Sequence, residues 1–338
     1  MAENDNDSSA ITNVSEKAMR RIQRQLWIGS LGLAIVAVTS WLCVASVRVE
    51  ADRQSARESG LSKFEELIAL AVAELGSVDI AQINLLCAQG LPGSEDLDIS
   101  RCVAIRDAMA ARVRTETERH YYRFQRNPSE FENSEGFFRM IMLGVVLAED
   151  FGVKFNPGKR VTAEESRIGD GFFKDARDVF LHGLLGPKRQ GTCSSLPVLQ
   201  VAVGRRLGYP LKLVTTKGHL FVRWEDARER FNIEAIGSGV NRFSDDYYRH
   251  WPFEISEEEI QAESYLKSLT PAEELAVFLS IRGMCWQEAG RYAEAEESFR
   301  EAARLSLGCR SYRIMQEQME QKARSNGKPF VASARKGE

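Results

Sequence analysis

Cysteine and histidine are scarce in this chain, and neither falls into a metal-binding pattern. Its 338 residues include six cysteines and four histidines. No CxxC pair occurs, which excludes the usual zinc-ribbon and dithiol redox spacings. His120, His182, His219 and His250 are widely scattered. No metal and no cofactor are therefore expected, and no Gly-rich phosphate loop is present. A charge excess of either sign is missing too. The formal net charge is −3, which gives no electrostatic reason to expect a nucleic-acid partner. Six cysteines are too few to frame a chain of this length with disulfides. Cys87 and Cys102 alone lie close enough to suggest a local staple, and that would matter only in an oxidising compartment.

Apolar residues make up 43% and charged residues 28%, the balance of a chain that can bury a core. The length fits about two domains. Residues 1–24 begin with a polar stretch that has little to bury, and are read as a disordered cytoplasmic leader. Residues 25–47, QLWIGSLGLAIVAVTSWLCVASV, carry no charge and are long enough to cross a bilayer as a helix. Trp27 and Trp41 lie toward the two ends, as interfacial aromatics do. Lys17, Arg20, Arg21 and Arg24 precede the run, which favours a cytoplasmic amino terminus and an extracytoplasmic body. A cleavable signal peptide ending near Cys43-Val44-Ala45 is the rival reading; the long leader and long apolar run favour an uncleaved single-pass anchor.

Helical periodicity fills residues 60–158. LSKFEELIALAVAEL (61–75) repeats apolar residues at steps of three and four, and residues 81–87 do likewise. A turn at 90–98 leads into a long amphipathic helix over 103–124, and another helix covers 136–153. Residues 159–255 read as a second region. An irregular Gly-bearing stretch precedes a helix at 194–210, with Pro197 early and Gly208 and Pro210 as stops. Then come three strand-like runs, LKLVTT, HLFVRW and FNIEAI. Helices followed by an antiparallel meander indicate the α+β class. The acidic run 254–263 is read as a solvated helix start. From 271 to 323 helices return. Gly283, Gly290, Ala295, Phe299 and Ala302 fit the small and aromatic positions of one tetratricopeptide-like helix pair, while Arg282 and Leu307 depart from that pattern. One such pair must pack on a neighbour. Residues 324–338 are read as a loose tail. Cys285 and Cys309 fall in apolar helical contexts and are read as core.

One constellation carries chemistry. Cys193, in GTCSS, precedes the 194–210 helix, where unpaired N–H groups and the dipole favour the thiolate, the reactive species. Thr192 or Ser194 is expected to cap that helix. His219 opens the second strand, and Glu234 lies on the third. Helix, strand, strand can thus bring nucleophile, base and acid together. Asn232 shares a strand face with Glu234 and is the other candidate for the third member. Gln190 is a candidate oxyanion donor beside the Cys193 amide, and His182 is a weaker one for any role. Tyr247, Tyr248, Trp251 and Phe253 are read as packing across the meander, with a substrate groove as the other reading.

The run GTCSSLPVLQVAVGRRLGYPLKLVTTKGHLFVRW, with FNIEA after it, resembles the core of the transglutaminase-like superfamily, a papain-related fold. It is most similar to a bacterial branch joining this core to an upstream helical region and a downstream tetratricopeptide repeat. The resemblance implies a papain-type core of helix plus antiparallel sheet, with Cys193 as nucleophile, His219 as base and Glu234 where that superfamily usually carries Asp. It implies a hydrolase or acyl transferase acting on amide or peptide bonds of a peptide or protein substrate. The alternative is an inactive scaffold that binds a protein partner through its helical and repeat regions.

Overall fold

The computed structural model describes residues 63–159, 171–234 and 240–326. The leader, the apolar run 25–47, the end of the third strand-like run and the tail beyond 326 lie outside the described residues. Among the described residues, no helix is long and apolar enough to cross a membrane.

The chain is α+β. Helix α1, Phe64–Ile68, is followed by a 3₁₀ turn at Val72–Ser77, so the 61–75 pattern yields two short pieces rather than one helix. Each piece begins with a backbone N–H held by a glutamate three residues on, Glu66 for Lys63 and Glu74 for Ala71. Two separate N-termini are therefore written into one periodic run. Then come α2, Ile80–Ala88, capped by Asp79, and α3, Ile99–Arg126, capped by Asp98. Helix α4, Glu135–Val145, ends in a π-helical turn, Val146–Asp150. Strand β1, Lys154–Phe155, pairs in parallel with β2, Gln190–Gly191, across two short helices, α5 (Ala176–Val179) and α6 (Leu181–Leu185).

Helix α7, Leu196–Arg206, is the centre of the molecule, and every residue from Leu196 to Gly204 is buried. It packs against α2, α3 and α6 on one side and against the sheet on the other. A helix apolar all round needs such complete cover. The sheet runs β3 (Leu211–Thr216), β4 (His219–Glu225), β5 (Arg230–Glu234) and β6 (Asn241–Phe243), all antiparallel and in chain order. The β3–β4 hairpin turns on Lys217-Gly218, with Thr216 paired to His219. Gly218 has φ +69°, a conformation that glycine adopts without strain, and a Cβ there would lie 2.8 Å from the Phe253 ring. Along β4, Leu220, Val222 and Trp224 join the main core, while His219, Phe221 and Arg223 face helix α8, Asp245–His250. The outer edge of β3 is covered by residues 266–269, through Leu266 N to Thr215 O and Leu269 N to Leu213 O.

Helix α9, Glu257–Glu263, starts at a Ser256–Glu259 capping box, in keeping with the acidic run as a solvated helix start. Helices α10 (Pro271–Glu288), α11 (Tyr292–Leu305) and α12 (Arg310–Asn326) pack in sequence. Gly283 admits the Phe299 ring, which a Cβ would meet at 2.8 Å, and Gly290 takes φ +73° in the turn between α10 and α11. Ala295, Phe299 and Ala302 are buried between the helices. Arg282, an outlier in the repeat pattern, binds the rest of the fold. Its guanidinium donates to Cys87 O at 2.8 Å and Gln89 O at 2.6 Å and lies 4.1 Å from the Phe64 ring centroid. The larger of two hydrophobic clusters among the described residues runs from Leu67 through α7 to Met319, and the smaller joins Val214, Phe221 and Tyr248. Cys87 and Cys102 both lie within the larger cluster as free thiols. The local staple is not formed: each sulfur is packed as an apolar side chain, and burial pushes the thiols up to about 12 and about 11. Cys285 and Cys309 are buried free thiols as well.

Candidate active site

The segment before α7 is held from below. Thr192 Oγ1 donates to Asp178 O at 3.0 Å and accepts from Ser194 N at 3.2 Å. Ser195 Oγ accepts from Thr192 N at 3.1 Å and lies 3.3 Å from Asp178 O. Ser195 occupies the N-cap position but its side chain makes no capping bond, and Thr192 Oγ1 instead accepts from Ser194 N, so Cys193 sits in the turn just before the first helical turn. Gly191 lets this turn close, because a Cβ there would fall 2.6 Å from Ser195 Oγ. Thr192 and Ser195 are fully buried, and Cys193 between them is half-buried. The backbone thus fixes the position of a thiol that still reaches solvent.

His219 stands at the end of β4 next to the hairpin turn. The β4–β5 register pairs Val222 with Ile233, and its continuation sets Glu234 opposite Phe221. Glu234 is therefore a diagonal, same-face neighbour of His219. The His219 Nε2 to Glu234 Oε2 distance is 2.9 Å, and both side chains are buried. Tyr248 O–H donates to the same carboxylate oxygen at 3.2 Å. Its ring stacks on Phe221 at 3.8 Å and lies nearly parallel to the His219 ring at 6.2 Å. Trp251 covers the imidazole edge-on at 4.8 Å. Burial opposes a charge on His219, but the Glu234 carboxylate and hydrogen bonding with Cys193 and Glu234 overcome it. The imidazole is held up at about 9 against an ordinary value of 6.5. With Nε2 on Glu234, the nitrogen left for Cys193 is Nδ1. Burial and the same carboxylate push the Tyr248 hydroxyl far above its ordinary range, so it stays a neutral donor.

Cys193 and His219 line one cleft of about 210 Å³. Phe172, Phe173 and Ser194 form one side, and Thr215, Gly218 and Leu220 another. A third side comes from the end of α9, the stretch after it and the C-terminal helices, and includes Glu263, Tyr265 and Tyr312.

The remaining candidates lie elsewhere. Asn232 shares the strand face of Glu234 but binds away from the histidine. Its Oδ1 accepts from Arg223 Nε at 2.7 Å, and its Nδ2 donates to Asp245 Oδ1 at 2.7 Å and Phe243 O at 3.1 Å. Gln190 lines a second cavity of about 200 Å³, beside Cys102 and His182. It is not among the described residues around the Cys193 cleft. His182 lies 3.1 Å through Nε2 from Gly93 O, and burial lowers its pKa, so it is a neutral core histidine. Among the described residues, no group of His, Cys, Asp and Glu is arranged to hold a metal ion. Tyr248 and Trp251 reach the histidine in a way that strand and helix periodicity does not reveal. They stand on and after α8, in contact only through the tertiary fold. Compared with known proteins, the chain matches no family model, no curated protein and no solved structure.

Proposed function

We propose that the protein is a membrane-anchored, transglutaminase-like thiol enzyme acting on amide or peptide bonds, with Cys193 as nucleophile, His219 as base and Glu234 as the acid that orients the imidazole. The observation that carries this reading is that His219, bonded to the buried Glu234, lines the same cleft as the half-buried Cys193. An imidazole with this much support for its positive charge is suited to take a thiol proton and keep it.

The steps follow from that geometry. The Cys193 proton passes to Nδ1 of His219, and the sulfur bonds to the substrate carbonyl carbon. The carbonyl π pair moves onto oxygen, where the Cys193 backbone N–H is the donor at hand. Collapse of the tetrahedral species re-forms the carbonyl and breaks the C–N bond. The leaving amine takes the imidazolium proton, and a thioester remains on Cys193. Water or a second amine then attacks the thioester, giving its proton to His219. Collapse releases the acid or new amide, and the sulfur regains its proton. Glu234 accepts from Nε2 throughout, which fixes the ring and stabilises the imidazolium. One methylene more than the superfamily's usual Asp is accommodated here by the diagonal position of Glu234 relative to His219. Residues 25–47 serve in this reading as the anchor, with the cleft outside the cytoplasm and a peptide or protein as substrate.

The test is an electrophilic activity-based probe for thiol enzymes, with the adduct located by peptide mass spectrometry. Labelling at Cys193 that is lost in Cys193→Ala and His219→Ala supports the reading. Equal labelling of all three proteins overturns it.

A further inference from the structure

The third side of the Cys193 cleft carries a feature that the acyl-transfer steps leave unused. Glu263 is, with His219, one of the two ionisable acid–base groups of opposite sign among the described lining residues, and no Lys or Arg is among them. Its side chain is organised unequally. Oε2 accepts from Cys309 Sγ at 3.1 Å, from Ser311 N at 3.1 Å and from Ser311 Oγ at 2.5 Å. These bonds tie the end of α9 to the start of α12. They fix the carboxylate plane and leave Oε1 with no donor among the described residues. Tyr265 and Tyr312 line the same cleft as Glu263. Both are phenols whose pKa is raised above all by burial, with the Glu263 carboxylate adding to this for Tyr265, so they stay neutral. A carboxylate oxygen beside neutral aromatic rings is the chemistry that receives an ammonium group.

We infer that Glu263 is a specificity residue of the Cys193 cleft, selecting substrates whose acyl part bears a primary ammonium group. This rests on the thiol-enzyme reading above. The ammonium bound here stays charged, so it is an anchor for the acyl donor and not the attacking amine, whose nitrogen must hold a free lone pair. Helix capping by Oε2 explains only half of this carboxylate. A neutral glutamine would cap α12 as well through one oxygen, but would not hold a cation. The recognition element also lies outside the helix–sheet core, at the end of α9.

The experiment uses two chloromethyl ketones alike except at one side chain, lysyl and norleucyl, with iodoacetamide as a small neutral control. Inactivation at Cys193 should be about tenfold or more faster with the lysyl reagent, the ratio that about 1.4 kcal/mol of charge-assisted bonding supplies. In Glu263→Gln the ratio should collapse toward one, with the iodoacetamide rate unchanged. A ratio near one in the wild type, or a preference that persists in Glu263→Gln, overturns the inference while leaving the thiol enzyme intact. If iodoacetamide itself labels Cys193 no differently in His219→Ala, the enzyme reading fails, and this inference falls with it.

Discussion

His219 and Glu234 form a buried imidazole–carboxylate pair, 2.9 Å between Nε2 and Oε2, although fifteen residues separate them in the chain. Antiparallel pairing of β4 and β5 makes them same-face diagonal neighbours. Tyr248 and Trp251 wall the pair from the side of α8. The walls bury the imidazole, which opposes its charge, and the Glu234 carboxylate favours the protonated ring that forms when it takes a proton.

A pH dependence of stability follows. The folded pKa of His219, about 9, lies above the ordinary value of 6.5. The charged ring therefore favours the folded state. That contribution is fully present below about 6.5 and is lost as pH rises through about 9. Denaturant midpoints between pH 6 and pH 10 should fall more steeply for the wild type than for Glu234→Gln, which lacks the carboxylate charge. Parallel curves would contradict this.

Asn232 and Glu234 should separate fold from chemistry. Asn232→Ala strips the acceptor from the buried Arg223 Nε. The expected cost is about 1–3 kcal/mol of unfolding free energy, with the labelling rate of Cys193 close to the wild type. Glu234→Ala should lower that rate on the order of a hundredfold, as removal of acid–base support does. Urea titration with timed iodoacetamide labelling checks both, and an equal loss of labelling in the two variants would contradict the assignment.

Arg282 should behave as a tie between the C-terminal helices and α2. Arg282→Met keeps much of the apolar stem but leaves the Cys87 and Gln89 carbonyls without this donor. A loss of about 1–3 kcal/mol is expected in thermal or urea unfolding. Wild-type stability in this variant would show that those carbonyls find other partners.

Much of this architecture is legible in local sequence. HLFVRW is buried on both faces, so period two groups His219 with Phe221 and Arg223 on one side, while the fold decides which side faces α8. The helix at α7 is marked by Pro197 near its start and by Gly208, at φ +78°, just past its end. Gly283 and Phe299 mark the helix pair because one makes room for the other. Other features depend on choices that only the tertiary fold makes. The 61–75 run keeps its apolar spacing but starts twice, because Glu66 and Glu74 each bind a backbone N–H three residues back. Asn232 and Glu234 are equivalent by alternation, and it is Arg223 and Asp245 that draw the asparagine away. Nothing in the spacing around Tyr248 indicates that its hydroxyl meets Glu234. Cys87 and Cys102 are near in sequence, yet both sulfurs are packed in the core as free thiols.

The most direct measurement of the proposed thiol–imidazole pair is an NMR titration of the histidine rings. The chain has four histidines, so the His219 resonance is identified by its loss in His219→Ala. It should titrate near pH 9 in the wild type and at lower pH in Cys193→Ala, because the thiol is one of the groups that raise it. A His219 ring that titrates at or below 6.5, or whose titration ignores the cysteine, would contradict the pairing on which the chemistry depends.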